Sequence, residues 1–182
     1  MKSSITIFLI VLNFIIYILE NFILRDDAFM LYFGLNYLFF NGFYWQILTT
    51  MFLHANLMHL IMNMAVLYQF GTILENHLGK VKFIFLCFVG GILTSLLSLS
   101  YTYYTFYSLK TIVNLVGASG MICVLLGFFS YLDIRLRKGL ILSVLLISFV
   151  PILIGINVAW YAHIFGFIIG FLFGKLYVLQ KR

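Results

Sequence analysis

Six apolar runs, each about the length of a membrane-crossing helix, take up most of this chain. They cover roughly Ile5–Leu24, Leu53–Leu74, Phe83–Tyr101, Leu115–Leu132, Gly139–Ile156 and Trp160–Leu179. A helix needs ~20 mostly apolar residues to span a bilayer. In lipid, only helices and closed barrels satisfy their own backbone polar groups. Composition agrees: of 182 residues, 64% are hydrophobic and 9% charged, against about 25% charged in a soluble domain. The expectation is an all-α membrane protein, one domain over 1–182, built as a six-transmembrane-helix bundle. Lys2 precedes the first run, but no small-residue cleavage site follows before Arg25. That run is therefore read as a span rather than a signal peptide.

Lysine and arginine orient the spans. With a cytoplasmic N-terminus, the inner side holds Lys2, Lys80, Lys82, Arg135, Arg137, Lys138, Lys175, Lys181 and Arg182. The outer side holds Arg25 and Lys110. This asymmetry predicts both termini in the cytoplasm. The net charge of +6 comes from these flanking positions and contains no basic cluster, which argues against nucleic-acid binding. Cys87 and Cys123 fall within apolar runs, where cysteine behaves as a small hydrophobe, and no disulfide framework is expected. The segment 25–52 is too aromatic for a solvated loop. Its tryptophan and tyrosines favour the membrane interface, and short helices with turns at Gly34, Asn36, Asn41 and Gly42 are expected there.

Polar residues at membrane depth are costly and mark functional sites. The second run opens with His54, Asn56, His59 and Asn63. His59 and Asn63 are four apart and share a helix face. The fourth run opens with Gly117-Ala118-Ser119-Gly120, and the sixth carries His163. All three runs start on the outer side, so at 1.5 Å per residue these groups lie at similar depth. Glycines 166, 170 and 174 recur every four residues, as do Ser119, Cys123 and Gly127. Such small-residue faces let helices pack closely, and their pairing would bring Ser119 to His163.

A serine hydroxyl needs a base within hydrogen-bond reach to act as a nucleophile, and His163 can serve. Asn63 and His59 side chains and the backbone N–H of Ser119 can stabilise an oxyanion. Gly117 and Gly120 remove bulk where a substrate backbone must approach. The acids Glu20, Asp26, Asp27, Glu75 and Asp133 are not placed to complete a triad, so a Ser–His dyad is expected. A structural hydrogen-bond pair is the competing reading of His59 and Asn63, and His54 is read as structural support at the helix mouth. Glu75 and His77 are expected to anchor a loop, and Asp133 with Arg135 and Arg137 to form a solvated turn. His54 and His59 have no glutamate between them, so the H-E-x-x-H zinc geometry is absent. Repeated halves with paired midplane charges, the mark of a transporter, are also absent.

Taken together, Gly117-Ala118-Ser119-Gly120, His54-x4-His59-x3-Asn63 and Ala162-His163-x2-Gly166-x3-Gly170 resemble the rhomboid intramembrane serine proteases. The stretch 43–54 and Gly71-x3-Glu75-x3-Gly79-Lys80 are similar as well. The resemblance implies a six-helix core with a short, central fourth helix, Ser119 as nucleophile and His163 as base. It implies single-span membrane proteins as substrates, cut near the outer side of the bilayer, with no metal or other cofactor. A bacterial inner membrane is the simplest home. Two positions depart from the pattern: Trp45-Gln46 stands where the family often has Trp-Arg, and Cys123 where some members have a tyrosine against the histidine. The fifth run holds the only proline, Pro151, read as a helix end, with a gating role beside substrate entry as the alternative. The competing function is a catalytically inactive rhomboid-like protein that binds and routes membrane clients.

Overall fold

A computed structural model describes residues 3–24 and 28–180. Lys2, Arg25, Asp26, Asp27, Lys181 and Arg182, used above for charge and orientation, lie outside the described residues. The bundle consists of α1 (Ser4–Leu24), α2 (Leu57–Leu78), α3 (Lys80–Tyr107), α4 (Ser119–Leu132), α5 (Ile134–Leu153) and α6 (Trp160–Leu179). This is an integral membrane protein. Five of these helices are long and apolar enough to cross a bilayer, whereas α4 has 14 residues. At 1.5 Å per residue, α4 is about 21 Å long, short of a hydrocarbon core of about 30 Å.

The shortness of α4 shapes its surroundings. The run from Leu115 is apolar throughout, yet helix begins only at Ser119. Leu115 instead pairs with Leu35 in an antiparallel bridge, each N–H donating to the other's carbonyl at 2.9 Å. Backbone that is not helical must find partners elsewhere. Here the Gly117 N–H donates to the Thr50 carbonyl at 2.9 Å, and the Thr50 hydroxyl donates to the Leu115 carbonyl. Helix α4 is central: every residue from Ser119 to Phe128 is buried. Its apolar surface meets Leu60, Met64 and Leu67 of α2, Phe83, Leu86 and Cys87 of α3, and Ile169 of α6 in one continuous core.

The aromatic segment before α2 folds as short helices at Phe29–Phe33 and Gln46–Thr49, with 3-10 turns at Tyr37–Asn41 and Thr50–Phe52. Its rings pack on the end of α3. Tyr37 stacks on Phe106 with centroids 4.6 Å apart, and Phe40 meets Tyr103 edge-on at 5.6 Å. Gly42 takes φ +102°, which closes the first 3-10 turn. Gly34 has a different reason to be glycine, because a Cβ there would overlap the Asn114 side chain. The buried Gln46 side chain donates to the carbonyls of Leu31 and Tyr32 at 3.0 and 3.2 Å, and accepts from the Asn36 N–H at 3.2 Å. It thus ties the segment together without a charge.

Other polar groups act as caps. Glu75 does not anchor a loop. Its carboxylate accepts from the N–H groups of Ile5 and Thr6 at 3.0 and 2.8 Å and from the Thr6 hydroxyl at 2.8 Å. It satisfies the otherwise unpaired first turn of α1. Asp133 is the N-cap of α5, accepting from the Arg135 N–H at 3.0 Å. The cluster read as a solvated turn is therefore the first turn of α5. Arg137 there lies over the rings of Tyr131 and Phe171 and donates to the Ser130 carbonyl at 3.0 Å. Cys87 and Cys123 are buried and free.

Candidate active site

Helices α4 and α6 pack backbone against backbone. A Cβ at Gly166 would overlap the Gly120 carbonyl, one at Gly170 the Val124 carbonyl, and one at Gly127 the Phe167 carbonyl. A Cβ at Gly174 would come within 2.7 Å of Tyr131 Cβ. These glycines leave no space between the helices, and this closeness places His163 beside Ser119. The Ser119 Oγ lies 2.9 Å from His163 Nε2. Both side chains are buried, at 8% and 5% exposure.

Ser119 is the first residue of α4, where unpaired backbone N–H groups and the positive end of the helix dipole are found. The turn that delivers it depends on Gly117. This residue has φ +122°, and a Cβ there would lie 2.7 Å from His59 Cε1 and 2.9 Å from His59 Nε2. Glycine is thus required both by conformation and by the approach of the His59 ring. Asn63 approaches the same point: its Nδ2 would be 3.5 Å from that Cβ. Asn63 is buried and its Nδ2 has no hydrogen-bond partner among the described residues. An unused buried donor costs about 1–3 kcal/mol, and this one lies beside the turn leading to Ser119.

His59 is half-buried on α2, whose N-cap is Asn56, accepting from the His59 N–H at 2.8 Å. His54 precedes that helix, is 1% exposed, and meets the His59 ring edge-on at 5.1 Å. Gly120 faces α3, where a Cβ would lie 3.1 Å from Thr94 Cγ2. Among the described residues, no three His, Cys, Asp or Glu side chains converge as a metal site. The described acids lie elsewhere: Glu75 caps α1, Asp133 caps α5, and Glu20 is buried in α1.

One residue at the site was not anticipated. The His163 Nδ1 lies 3.1 Å from the Oγ of Ser148 on α5, a side chain with 0% exposure. The imidazole is therefore held between two serines on two helices. Depth counting could have found it. Ser148 lies five residues before the end of α5 and His163 three after the start of α6, so the two meet across antiparallel neighbours.

The rhomboid domain family matches residues 41–180, and the chain belongs to that family. It is 28% identical over 154 residues to YdcA of Bacillus subtilis (strain 168), provisionally named a rhomboid protease, covering 78% of this chain and 71% of that one. It is 33% identical over 131 residues to protein L523 of Acanthamoeba polyphaga mimivirus, provisionally named a rhomboid protein, covering 71% and 73%. RHOMBOID-like protein 7 of Arabidopsis thaliana is 32% identical over 151 residues, covering 76% of this chain and 44% of the relative. The chain thus spans less than half the length of that plant protein.

Proposed function

We propose that this protein is an intramembrane serine endopeptidase working through a Ser119–His163 dyad. The observation that carries this reading is the 2.9 Å hydrogen bond between Ser119 Oγ and His163 Nε2 inside a membrane bundle. His163 takes the hydroxyl proton as Ser119 attacks the scissile carbonyl, then returns it to the leaving amine. Asn63 Nδ2, the His59 ring and the Ser119 N–H stabilise the tetrahedral oxyanion. The unpaired Asn63 donor supports this role, because a group left unsatisfied in the resting state gains its partner only when the oxyanion forms. Gly117 gives the His59 ring room beside the turn that carries Ser119, Gly120 packs against Thr94 and Gly166 rather than lining a substrate approach, and His54 supports His59.

Ser148 also contacts the histidine, but it does not fit the nucleophile's role. It has no exposed surface, and its hydroxyl is 2.6 Å from the Val144 carbonyl. Substrates are single-span membrane proteins, cut near the outer side of the bilayer. The orientation puts both termini in the cytoplasm, with a bacterial inner membrane as the setting. An inactive relative that only routes clients has no need of a serine and histidine in bonding contact.

The test is cleavage of a single-span model substrate by the purified full chain in liposomes. Ser119→Ala and His163→Ala are each expected to lower the rate by about 10³-fold or more. A serine-reactive phosphonate or isocoumarin should label wild type at Ser119. Absence of both cleavage and labelling would leave the client-binding reading standing.

A further inference from the structure

We propose that Ser148 is a positioning residue for the general base: it fixes the His163 tautomer and makes that tautomer depend on the seating of α5. This rests on the dyad reading above. A neutral imidazole carries one N–H, and the nitrogen that bears it is set by its partners. A serine hydroxyl likewise has one hydrogen to give. The Ser148 Oγ is 2.6 Å from the Val144 carbonyl, which can only accept, and 3.1 Å from His163 Nδ1. The shorter contact uses the hydroxyl hydrogen, in the back-bonding to residue i−4 that helical serines commonly make. The oxygen lone pair is then left for the imidazole, so Nδ1 carries the proton and donates it to Ser148.

The other nitrogen follows from this. With Nδ1 protonated, Nε2 presents a lone pair to Ser119 Oγ at 2.9 Å, as a base awaiting a proton must. The opposite assignment would leave the Val144 carbonyl facing a second lone pair at 2.6 Å. It would also make Nε2 a donor toward the nucleophile, unable to take its proton. Ser148 therefore does, with a neutral oxygen, the orienting work of a triad's carboxylate.

The coupling to α5 comes from burial. Of the 20 residues in α5, Leu140, Val144 and Ser148 are buried, a stripe repeating every four residues. Both the Val144 carbonyl and the Ser148 hydroxyl belong to that stripe. Moving α5 outward removes the Nδ1 acceptor while leaving the α4–α6 contact, and hence the Ser119–His163 distance, in place. The base then samples the unproductive tautomer.

The test uses the full chain in detergent micelles with the single-span substrate, and reads kcat, KM and the ring ¹⁵N shifts of His163 at a pH where the ring is neutral. Ser148→Ala and the near-isosteric Ser148→Cys are expected to lower kcat by about 10- to 100-fold, less than loss of the base itself, with KM within about twofold. Ser148→Thr, which keeps the hydroxyl, should retain most of kcat. The wild-type ring should be the Nδ1–H tautomer, and Ser148→Ala should show a mixture. Values of kcat within about twofold of wild type in both Ser148→Ala and Ser148→Cys would overturn the proposal, as would an unchanged tautomer ratio. If wild type neither cleaves nor labels, the protease reading fails by itself, and the ring shifts still decide the role of Ser148.

Discussion

Helices α4 and α5 both pack against α6, and they do so in contrasting ways. Between α4 and α6, glycine faces carbonyl at Gly166, Gly170 and Gly127, and no side chain separates the backbones. Helix α5 buries one side chain per turn, adds ring contacts through Arg137 over Phe171 and Phe149 against Trp160, and turns most of its surface outward. Lipid tails are as apolar as leucine, so helix association in a membrane relies on close packing and hydrogen bonds. By that measure the first contact is fixed and the second is separable. The contrast divides the labour at the imidazole: its Nε2 side is set by the tight pair, and its Nδ1 side by the loose one.

Gly170→Ala should have the largest effect, since its Cβ would overlap the Val124 carbonyl and backbone cannot rotate away. A loss of about 3 kcal/mol is expected, with activity abolished, measured by unfolding in mixed micelles beside the cleavage assay. A tolerated alanine would show that the two backbones can separate without consequence, and the contrast would collapse. Val144→Ala should cost less, about 1 kcal/mol, because in lipid the loss is mainly of packing. Its activity should fall through kcat, and a larger loss of stability than that of Gly170→Ala would reverse the ranking.

Pro151→Ala should be the mildest. Pro151 lies in the last turn of α5, and its carbonyl accepts from the Ile154 and Ile156 N–H groups at 3.1 and 2.9 Å. That is a helix-end role, and stability should shift by less than about 1 kcal/mol with cleavage unchanged. Marked acceleration toward membrane-embedded substrate would sharpen the contrast differently, making the α5 end a gate.

Much of this was legible in the chain because lipid enforces simple rules. Long apolar runs have few alternatives to helix, glycines every four residues announce close approach, and a serine and histidine at shared depth stand out against hydrocarbon. What stayed hidden depended on distant partners. Hydropathy cannot distinguish Leu115 in a helix from Leu115 bridged to Leu35, so α4 begins later than its apolar run. Glu75 reads as a helix-end charge until the start of α1 is brought beside it. Ser148 looks like any small residue in an apolar span until its depth is counted from the helix end, and the docking of α5 on α6 then shows its contact with His163. The absence of a tyrosine at Cys123 left the support of His163 open, and Ser148 supplies a contact there.

The separation of Ser119 and His163 along the chain, 44 residues apart on α4 and α6, has a consequence for biosynthesis. A ribosome delivers the hydroxyl into the membrane well before the imidazole. Until α6 has been inserted and docked, Ser119 lacks the imidazole that the dyad reading assigns as its base. On the dyad reading, reactivity would arise only on completion of the bundle, so the order of synthesis would itself hold the nucleophile in check during assembly.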